Sequence, residues 1–293
     1  MGELKFLAFS DLEGRHDLIG LLLNANLSKY DLLLYKGDTP DPSVYKNIRK
    51  ARSLSGRPWE ERTSLSIMEE SDEVKNAFRK AVEDSTKINS IFALLKKRIP
   101  IYGILGNSDT VPTHIAPHLG LKSVNFQENI EMLHNRVVKI KDFYFIGYHG
   151  RVKYLDENII EAPELMFDEE KAFEDLSQLF KQVEPRKTIF VTHVPPYGIL
   201  DKVKEDWISY AVSTYGEKAR QGHIGSNAFR DVVLTYRPLL HTFGHIHESA
   251  GIEFLGETTF INGGALGETE EVEEVTIQDG KVIFKRIRLK DLY

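Results

Sequence analysis

Short apolar runs that end on polar residues recur along the chain. Leu4 to Ser10 is one, stopping at Asp11; Asp31 to Lys36, Pro100 to Leu105, Phe143 to Tyr148, Lys187 to Thr192 and Leu239 to Phe243 repeat the pattern. Runs of this length with polar or turn-forming borders predict buried strands. Ile130 to Ile140 is also strand-like. Between the runs, apolar residues fall at helical spacing: Leu18, Leu21, Leu22 and Ala25 within His16 to Ala25, and Phe173, Leu176, Leu179 and Phe180 within Asp168 to Gln182. A further helix is expected over Asn227 to Thr235, stopped before Pro238. The tail from Gly251 to Leu289 reads as antiparallel strands, Thr258 to Ile261, Glu273 to Ile277 and Lys281 to Ile287, with Asp279-Gly280 as a hairpin turn. The alternation of strand and helix in the first half predicts parallel pairs joined by crossover helices, so the class is α/β.

One stretch breaks this rhythm. A crossover helix needs about a dozen residues, yet the second crossover runs from about residue 40 to 97. Pro40, Pro42, Gly56 and Pro58 come first. A helical run from about Glu60 to Lys97 follows, with Ile67, Val74, Phe78, Val82, Ile88, Ile91, Phe92 and Leu95 as its apolar stripe. We read it as a helical insertion, a lid over whatever lies beside Asp38 and Asn107, with a packing or dimerisation helix as the alternative. No repeat, low-complexity stretch or linker divides the 293 residues, so a single domain over 1–293 is expected.

With 41% hydrophobic and 28% charged residues, the chain has the balance of a soluble globular protein. No apolar run approaches the ~20 residues of a membrane helix, and the start, Met1-Gly2-Glu3-Leu4-Lys5, passes straight into a strand pattern. No membrane partner and a cytoplasmic location are the expectation. The absence of cysteine excludes disulfides, thiolate metal ligands and thiol nucleophiles. A net charge of -6 counts against binding to duplex nucleic acid, which calls for a basic footprint.

The chemistry gathers where the apolar runs end. Five blocks follow five runs: Asp11-Leu12-Glu13-Gly14, Gly37-Asp38, Gly106-Asn107-Ser108-Asp109, Thr192-His193-Val194-Pro195-Pro196 and Gly244-His245-Ile246-His247. Sites in α/β sheets collect outside the carboxyl ends of strands. Each block alone reads as a turn or a helix cap. Five strand ends, each carrying Asp, Asn or His, suit a pocket for two metal ions. An Asp after Gly at a strand end presents both carboxylate oxygens, so Asp38 is the candidate bridge. Mixed oxygen and nitrogen ligands suit Mn, Fe, Zn, Co or Ni.

The order of the blocks resembles the calcineurin-like metallophosphoesterases, whose pattern runs D-x-H, G-D, G-N-x-D, a lone H and G-H-x-H. The blocks span most of the chain, from Asp11 to His247. Gly222-His223-Ile224-Gly225-Ser226 and Gly244 to Ser249 resemble a branch of small prokaryotic, especially archaeal, phosphoesterases. The resemblance implies a four-layer α/β/β/α sandwich of two mixed β-sheets flanked by helices. It implies two divalent transition metal ions, one held by Asp11, Asp38 and His247 and the other by Asp38, Asn107, His193 and His245. It implies hydrolysis of a phosphoester by a hydroxide bridging the metals.

Two positions depart from the family. Glu13 stands at a usual His ligand and offers a hard oxygen instead; it is taken as a metal ligand. Ser108 stands where many members have a histidine acid. His223, flanked by Gly222 and Gly225, is the expected replacement, as a catalytic and phosphate-binding residue. His149, after the Phe143 to Tyr148 run, is a second candidate for contacting substrate, and Asn107 a third. The reading is a phosphodiesterase for a small phosphoester or nucleotide, with oligomerisation left open. The alternatives are a nuclease, or a degenerate protein on the same fold that binds a phosphate ligand or a partner without catalysis.

Overall fold

The apolar runs become the strands of two sheets. The computed structural model describes residues 2–44, 47, 50–51, 71–152 and 165–293. The first part of the chain forms β1 (Leu4–Phe9), α1 (His16–Leu21), β2 (Leu32–Tyr35), α2 (Asp72–Leu95), β3 (Ile101–Gly103) and β4 (Glu131–Met132). The middle forms β5 (Val137–Ile140), β6 (Phe143–Tyr148), β7 (Arg151–Val152), β8 (Met166–Phe167), α3 (Glu169–Phe180) and β9 (Thr188–Thr192). The last part forms α4 (Ile208–Tyr215), α5 (Asn227–Tyr236), β10 (Leu240–Phe243), β11 (Gly251–Leu255), β12 (Thr258–Asn262), α6 (Leu266–Thr269), β13 (Glu271–Gln278) and β14 (Lys281–Arg288). One six-stranded sheet runs β14-β13-β1-β2-β3-β4 and the other β11-β12-β10-β9-β6-β5. Both are mixed: β1 lies parallel to β2 and antiparallel to β13, and β9 lies parallel to β6 and β10 while β5 and β11 are antiparallel edges.

Alternation along the strands builds the layers. Leu4, Phe6 and Ala8 of β1 point between the sheets, where they join Phe143, Phe145, Ile189 and Val191 in one buried cluster. Leu7 and Phe9 point the other way and pack with Leu18, Ile19, Ile88 and Phe92 of α1 and α2. On the far side, Phe190 and Phe243 pack with Leu176 and Phe180 of α3 and Phe229 of α5. The order is helix, sheet, sheet, helix, as the family resemblance implied. Strands covered on both faces carry near-continuous apolar runs, which is why the sequence shows them so clearly. Among the described residues, no helix is long and apolar enough to cross a membrane.

Several expected boundaries move. α1 ends at Leu21 rather than Ala25. The Arg98 guanidinium satisfies carbonyls of the segment that follows, bonding Leu22 at 3.1 Å, Ala25 at 2.8 Å and Leu23. The run Ile130 to Ile140 splits into β4 and β5, which belong to different sheets. The chain turns between them at Asn135, in a left-handed conformation with φ of 50°. β12 is not purely antiparallel: it pairs in parallel with β10 and antiparallel with β11. The β13–β14 hairpin closes on Asp279 and Gly280, with φ of 52° and 72°, the pair of positive values that a two-residue turn between twisted strands requires. In the long crossover, α2 begins at Asp72 behind a Ser71 cap and packs in the outer helical layer. Of the insertion expected to form the lid, about 40 to 97, residues 45–46, 48–49 and 52–70 lie outside the described residues.

One buried charge cluster ties the two sheets, and a second sits within the first sheet. Lys36 follows β2 and is completely buried. Its Nζ pairs with Glu273 of β13 and donates 2.7 Å to the Phe243 carbonyl of β10, in the opposite sheet. The Thr242 hydroxyl donates to the other Glu273 oxygen at 3.4 Å. On β13's next residue, the Glu274 carboxylate accepts from Tyr30 Oη at 2.6 Å and pairs with Lys285 at 2.9 Å. Burial pushes this carboxyl up, but Tyr30, Lys285 and Lys5 outweigh it and hold the group near 2, from an ordinary 4.5.

Lys36→Met leaves the Glu273 carboxylate buried without a partner and is expected to cost about 3–5 kcal/mol of stability. The double variant Lys36→Met/Glu273→Leu, which removes both charges, is expected to recover much of that loss; equal destabilisation in denaturant titrations would refute the pairing. Because the folded Glu274 holds its proton less tightly than the unfolded one, its contribution is complete above pH 4.5 and disappears as pH falls toward 2. Glu274→Gln should therefore be less stable at neutral pH by about 1–3 kcal/mol and should flatten the acid limb of the stability curve. An unchanged acid limb would remove Glu274 as its source.

Candidate metal centre

The five motif blocks converge on one end of the two sheets. The Asp11 and Asp38 loops are zipped by backbone bonds: Asp11 N–H to Gly37 O at 2.9 Å, Leu12 N–H to Asp38 O at 2.8 Å and Gly14 N–H to Thr39 O at 2.7 Å. Asp109, fully buried, holds the Gly106 block against the Asp38 block. It accepts from the backbone N–H of Asp38, Thr39 and Gly106, from the Thr39 hydroxyl at 2.7 Å and from Tyr35 Oη at 3.1 Å. Burial and the neighbouring Asp38 raise its carboxyl to about 6, against the pull of those donors. The motif glycines are required by closeness. A Cβ on Gly106 would fall 2.1 Å from Asp38 Oδ1, and one on Gly244 would fall 2.5 Å from Asp11 Oδ2. Any side chain there would occupy the space of a candidate ligand.

Asp11, Glu13, Asp38 and His245 all adopt left-handed backbone conformations, with φ of 53°, 51°, 64° and 69°. Non-glycine residues pay of order 1 kcal/mol or more for this. Four such residues in one place mark a site where side-chain direction has outweighed backbone comfort.

Each of two imidazoles has its far nitrogen engaged and its near nitrogen facing a carboxylate. His193 Nδ1 lies 2.9 Å from the Lys36 carbonyl and donates to it. Its Nε2 then points a lone pair at Asp38 Oδ2, 3.2 Å away, and at His245 Nδ1, also 3.2 Å away. His247 repeats the arrangement. Its Nδ1 is 3.0 Å from Glu268 Oε1, and its Nε2 is 3.1 Å from Asp11 Oδ1. Acceptors facing acceptors at such distances need a cation between them. Without a metal that cation is a proton. Burial favours neutral rings, but Asp38 pushes His193 up to about 9 and Asp11 pushes His247 up to about 10. His245, partly buried beside His193, falls to about 3, chiefly through desolvation. Burial raises the Asp11 and Asp38 carboxyls, yet the facing histidines hold both below the ordinary range.

Asn107 supplies an independent test of fit. Its Oδ1 is buried and has no hydrogen-bond partner, while its Nδ2 donates to Ser108 Oγ at 3.3 Å. A buried carbonyl oxygen without a donor is costly and is what a metal ligand looks like before its ion. Ser108 in turn donates to Asp38 from its N–H and its hydroxyl, both at 2.7 Å. Two groups of ligand atoms thus stand close enough to hold ions: Asp38, His193 and His245, and Glu13, His247 and Glu268. Burial lifts Glu13 to about 7, with His247 opposing and Glu268 and Asp11 adding to the rise.

A cavity of about 380 Å³ opens onto the group, lined by Asp11, Glu13, Asp38, Asn107, His245 and His247 among others. His193 lies behind it, fully buried. The expected substrate contacts from His149 and His223 are not brought to this cavity. His149 turns its Nδ1 to the Leu105 N–H at 2.8 Å and stacks on His134 with ring centres 4.2 Å apart. The His223 ring lies 2.6 Å from Asp201 Oδ1, and its neighbour Ile224 reaches the cavity instead. Among the polar lining residues, Glu268, Arg151 and Lys204 escaped the sequence reading. Glu268 had a signal, since it follows the strand Thr258 to Asn262 through a short glycine-rich turn, the same strand-end pattern as the other blocks.

The comparisons with known proteins bear on the family and the fold. The family model for calcineurin-like phosphoesterases matches residues 4–249. One solved structure superposes with a TM-score of 0.65 at 18% identity, covering 98% of this chain and 100% of the other. TT1561 of Thermus thermophilus superposes with a TM-score of 0.54 at 17% identity, over 98% and 100% of the two chains. At these identities the likeness is one of fold. Among curated proteins, the UPF0046 protein K07C11.7 of Caenorhabditis elegans is 28% identical over 101 residues, a match spanning 34% of this chain and 29% of that relative's length. With its motif blocks gathered on one cavity and the family match running through all of them, the chain belongs to the calcineurin-like phosphoesterases.

Proposed function

We propose that the chain is a dinuclear metal-dependent phosphodiesterase. The observation that carries the reading is the setting of Asp38. This one buried carboxylate faces His193 at 3.2 Å, is fixed through both oxygens by Ser108 and lies beside the partnerless Asn107 oxygen. A carboxylate so placed can serve two ions at once. Asp11 and His247 complete one side, with Glu13 in the place of the family's histidine; Asn107, His193 and His245 complete the other. Divalent ions held by this set would supply Lewis acidity to a phosphoryl group and lower the pKa of a bound water.

The protein's own residues do the rest. Glu268 and the Lys36 carbonyl fix His247 and His193 with their Nε2 atoms inward, as outer partners of metal-bound histidines do. Asn107 and Arg151 stand on the cavity wall to orient a phosphoryl group. The cavity continues past the metal ligands onto an apolar wall, which leaves room for a second ester group and favours diesters over monoesters.

Asp38→Ala is expected to lose metal from both positions and to lower kcat/KM by roughly 10³-fold, the scale of removing a principal electrostatic group. Elemental analysis that found two ions still bound per Asp38→Ala chain would overturn the bridging role. Glu13 gives the first position an extra hard oxygen, so Glu13→His should shift selectivity from Mn toward Zn or Ni. Competitive metal titration checks this, and an unaltered preference would place Glu13 outside the ligand set.

A further inference from the structure

The residue between the two ligating histidines of the last block is apolar. Ile246 is buried, lines the cavity between His245 and His247, and belongs to a hydrophobic cluster with Ala211, Ile224 and the partly buried Val203 and Tyr215. All of these line the same cavity, and Trp207 joins them there with 42% of its surface exposed. An apolar wall therefore begins one residue from the metal ligands, about 4 Å along the chain.

That wall is fastened to the ligand-bearing turn. The Lys202 N–H donates to Ser249 Oγ at 3.1 Å, Ser249 Oγ donates back to the Lys202 carbonyl at 2.7 Å, and the Lys204 N–H donates to Glu248 Oε1 at 2.9 Å. From behind, fully buried Asp201 accepts the N–H groups of Gly198 and Gly225 at 3.0 and 2.9 Å and meets His223. His223 and Asp201 thus hold the loop that carries the wall. A surface held this firmly beside a phosphate position is built to meet whatever is attached to the phosphorus.

We propose that this wall is the subsite for an ester group of the substrate, and that the group it takes is a planar aromatic ring, as in an aryl or nucleoside phosphate. The inference rests on the phosphoester reading above. Trp207 and Tyr215 offer aromatic faces, which prefer ring partners. Ala211 contributes little bulk between them. The cavity volume of about 380 Å³ sits at the small end of the ~300–1,000 Å³ range of small-molecule sites, which suits a ring better than a long acyl chain.

The test uses uncleavable probes on the full chain loaded with Mn2+, measured by calorimetry. Phenylphosphonate is expected to bind roughly tenfold or more tightly than methylphosphonate, from the extra apolar area it buries, and more tightly than cyclohexylphosphonate, which matches its bulk without its flat face. Trp207→Ala should bring the phenyl-to-methyl ratio toward one, and Trp207→Phe should keep it. Adenosine 5′-monophosphate binding more tightly than ribose 5-phosphate would assign the ring to a nucleobase; equal binding of these two, with the phenyl preference intact, would assign it to a simple aryl ester. Equal affinity for phenyl and methylphosphonate, or cyclohexyl matching phenyl, would overturn the subsite while leaving phosphoester chemistry in place. No binding of any phosphonate would overturn the phosphoester reading and the subsite with it.

Discussion

The candidate centre depends on one buried ammonium. Lys36 sits where the two sheets meet, directly before the Gly37-Asp38 block. Its side chain grips Phe243, the residue before the Gly244-His245 block, and its backbone carbonyl orients His193. Three ligand loops from two sheets are thereby referred to one residue. Burying a charge this completely is costly unless it is paired and hydrogen-bonded, and burial does depress the Lys36 pKa while Glu273 opposes it. A pair of apolar residues would fill the same space at no greater cost in stability. What apolar residues lack is direction: they cannot fix a carbonyl on one sheet against a strand on the other to within a fraction of an ångström. Metal ligands need that fixity.

The candidate ligands are divided accordingly. Asp11, Asp38 and Asn107 follow strands of the first sheet, whereas His193, His245 and His247 follow strands of the second. Those carboxylate and amide oxygens come from one layer and the imidazoles from the other, while Glu268, which follows β12, adds an oxygen from the second. Neither sheet holds a complete site, so the packing of the two faces through Phe6, Phe145, Ile189 and their neighbours is also the closing of the centre. Cation binding in such an arrangement is linked to folding: an ion that requires both layers stabilises only the state in which they are packed.

Much of this was legible in the sequence, and for a physical reason. Strands covered on both faces leave long apolar runs, and the glycine, Asp and His blocks at their ends interrupt those runs sharply. The parts that were not legible depend on contacts between distant segments. His149 and His223 have the spacing of site residues, and only the structure shows the first stacked on His134, the second bonded to Asp201, and neither among the cavity-lining residues. Glu268 was hidden because the tail read as simple antiparallel strands, whereas β12 runs parallel to β10 and delivers its following turn to the same edge. The break at Asn135 did carry a signal, the polar His134-Asn135-Arg136 inside the strand-like stretch, but which sheet each half joins is set by pairing with distant strands.

The position of β13 has a consequence for how the chain is made. The strand order places this late segment beside β1, with Leu4 opposite Ile277. During synthesis β1, β2 and β3 can associate early, but one edge of β1 stays open until Glu271–Gln278 has emerged. Over that interval Lys36 has no Glu273, and an apolar strand edge is available for pairing with another chain. Asp11 and His247, 236 positions apart, meet across the same span. Until β13 emerges, a nascent chain of this architecture therefore carries a half-built first sheet, whose open edge is the kind that favours misassembly.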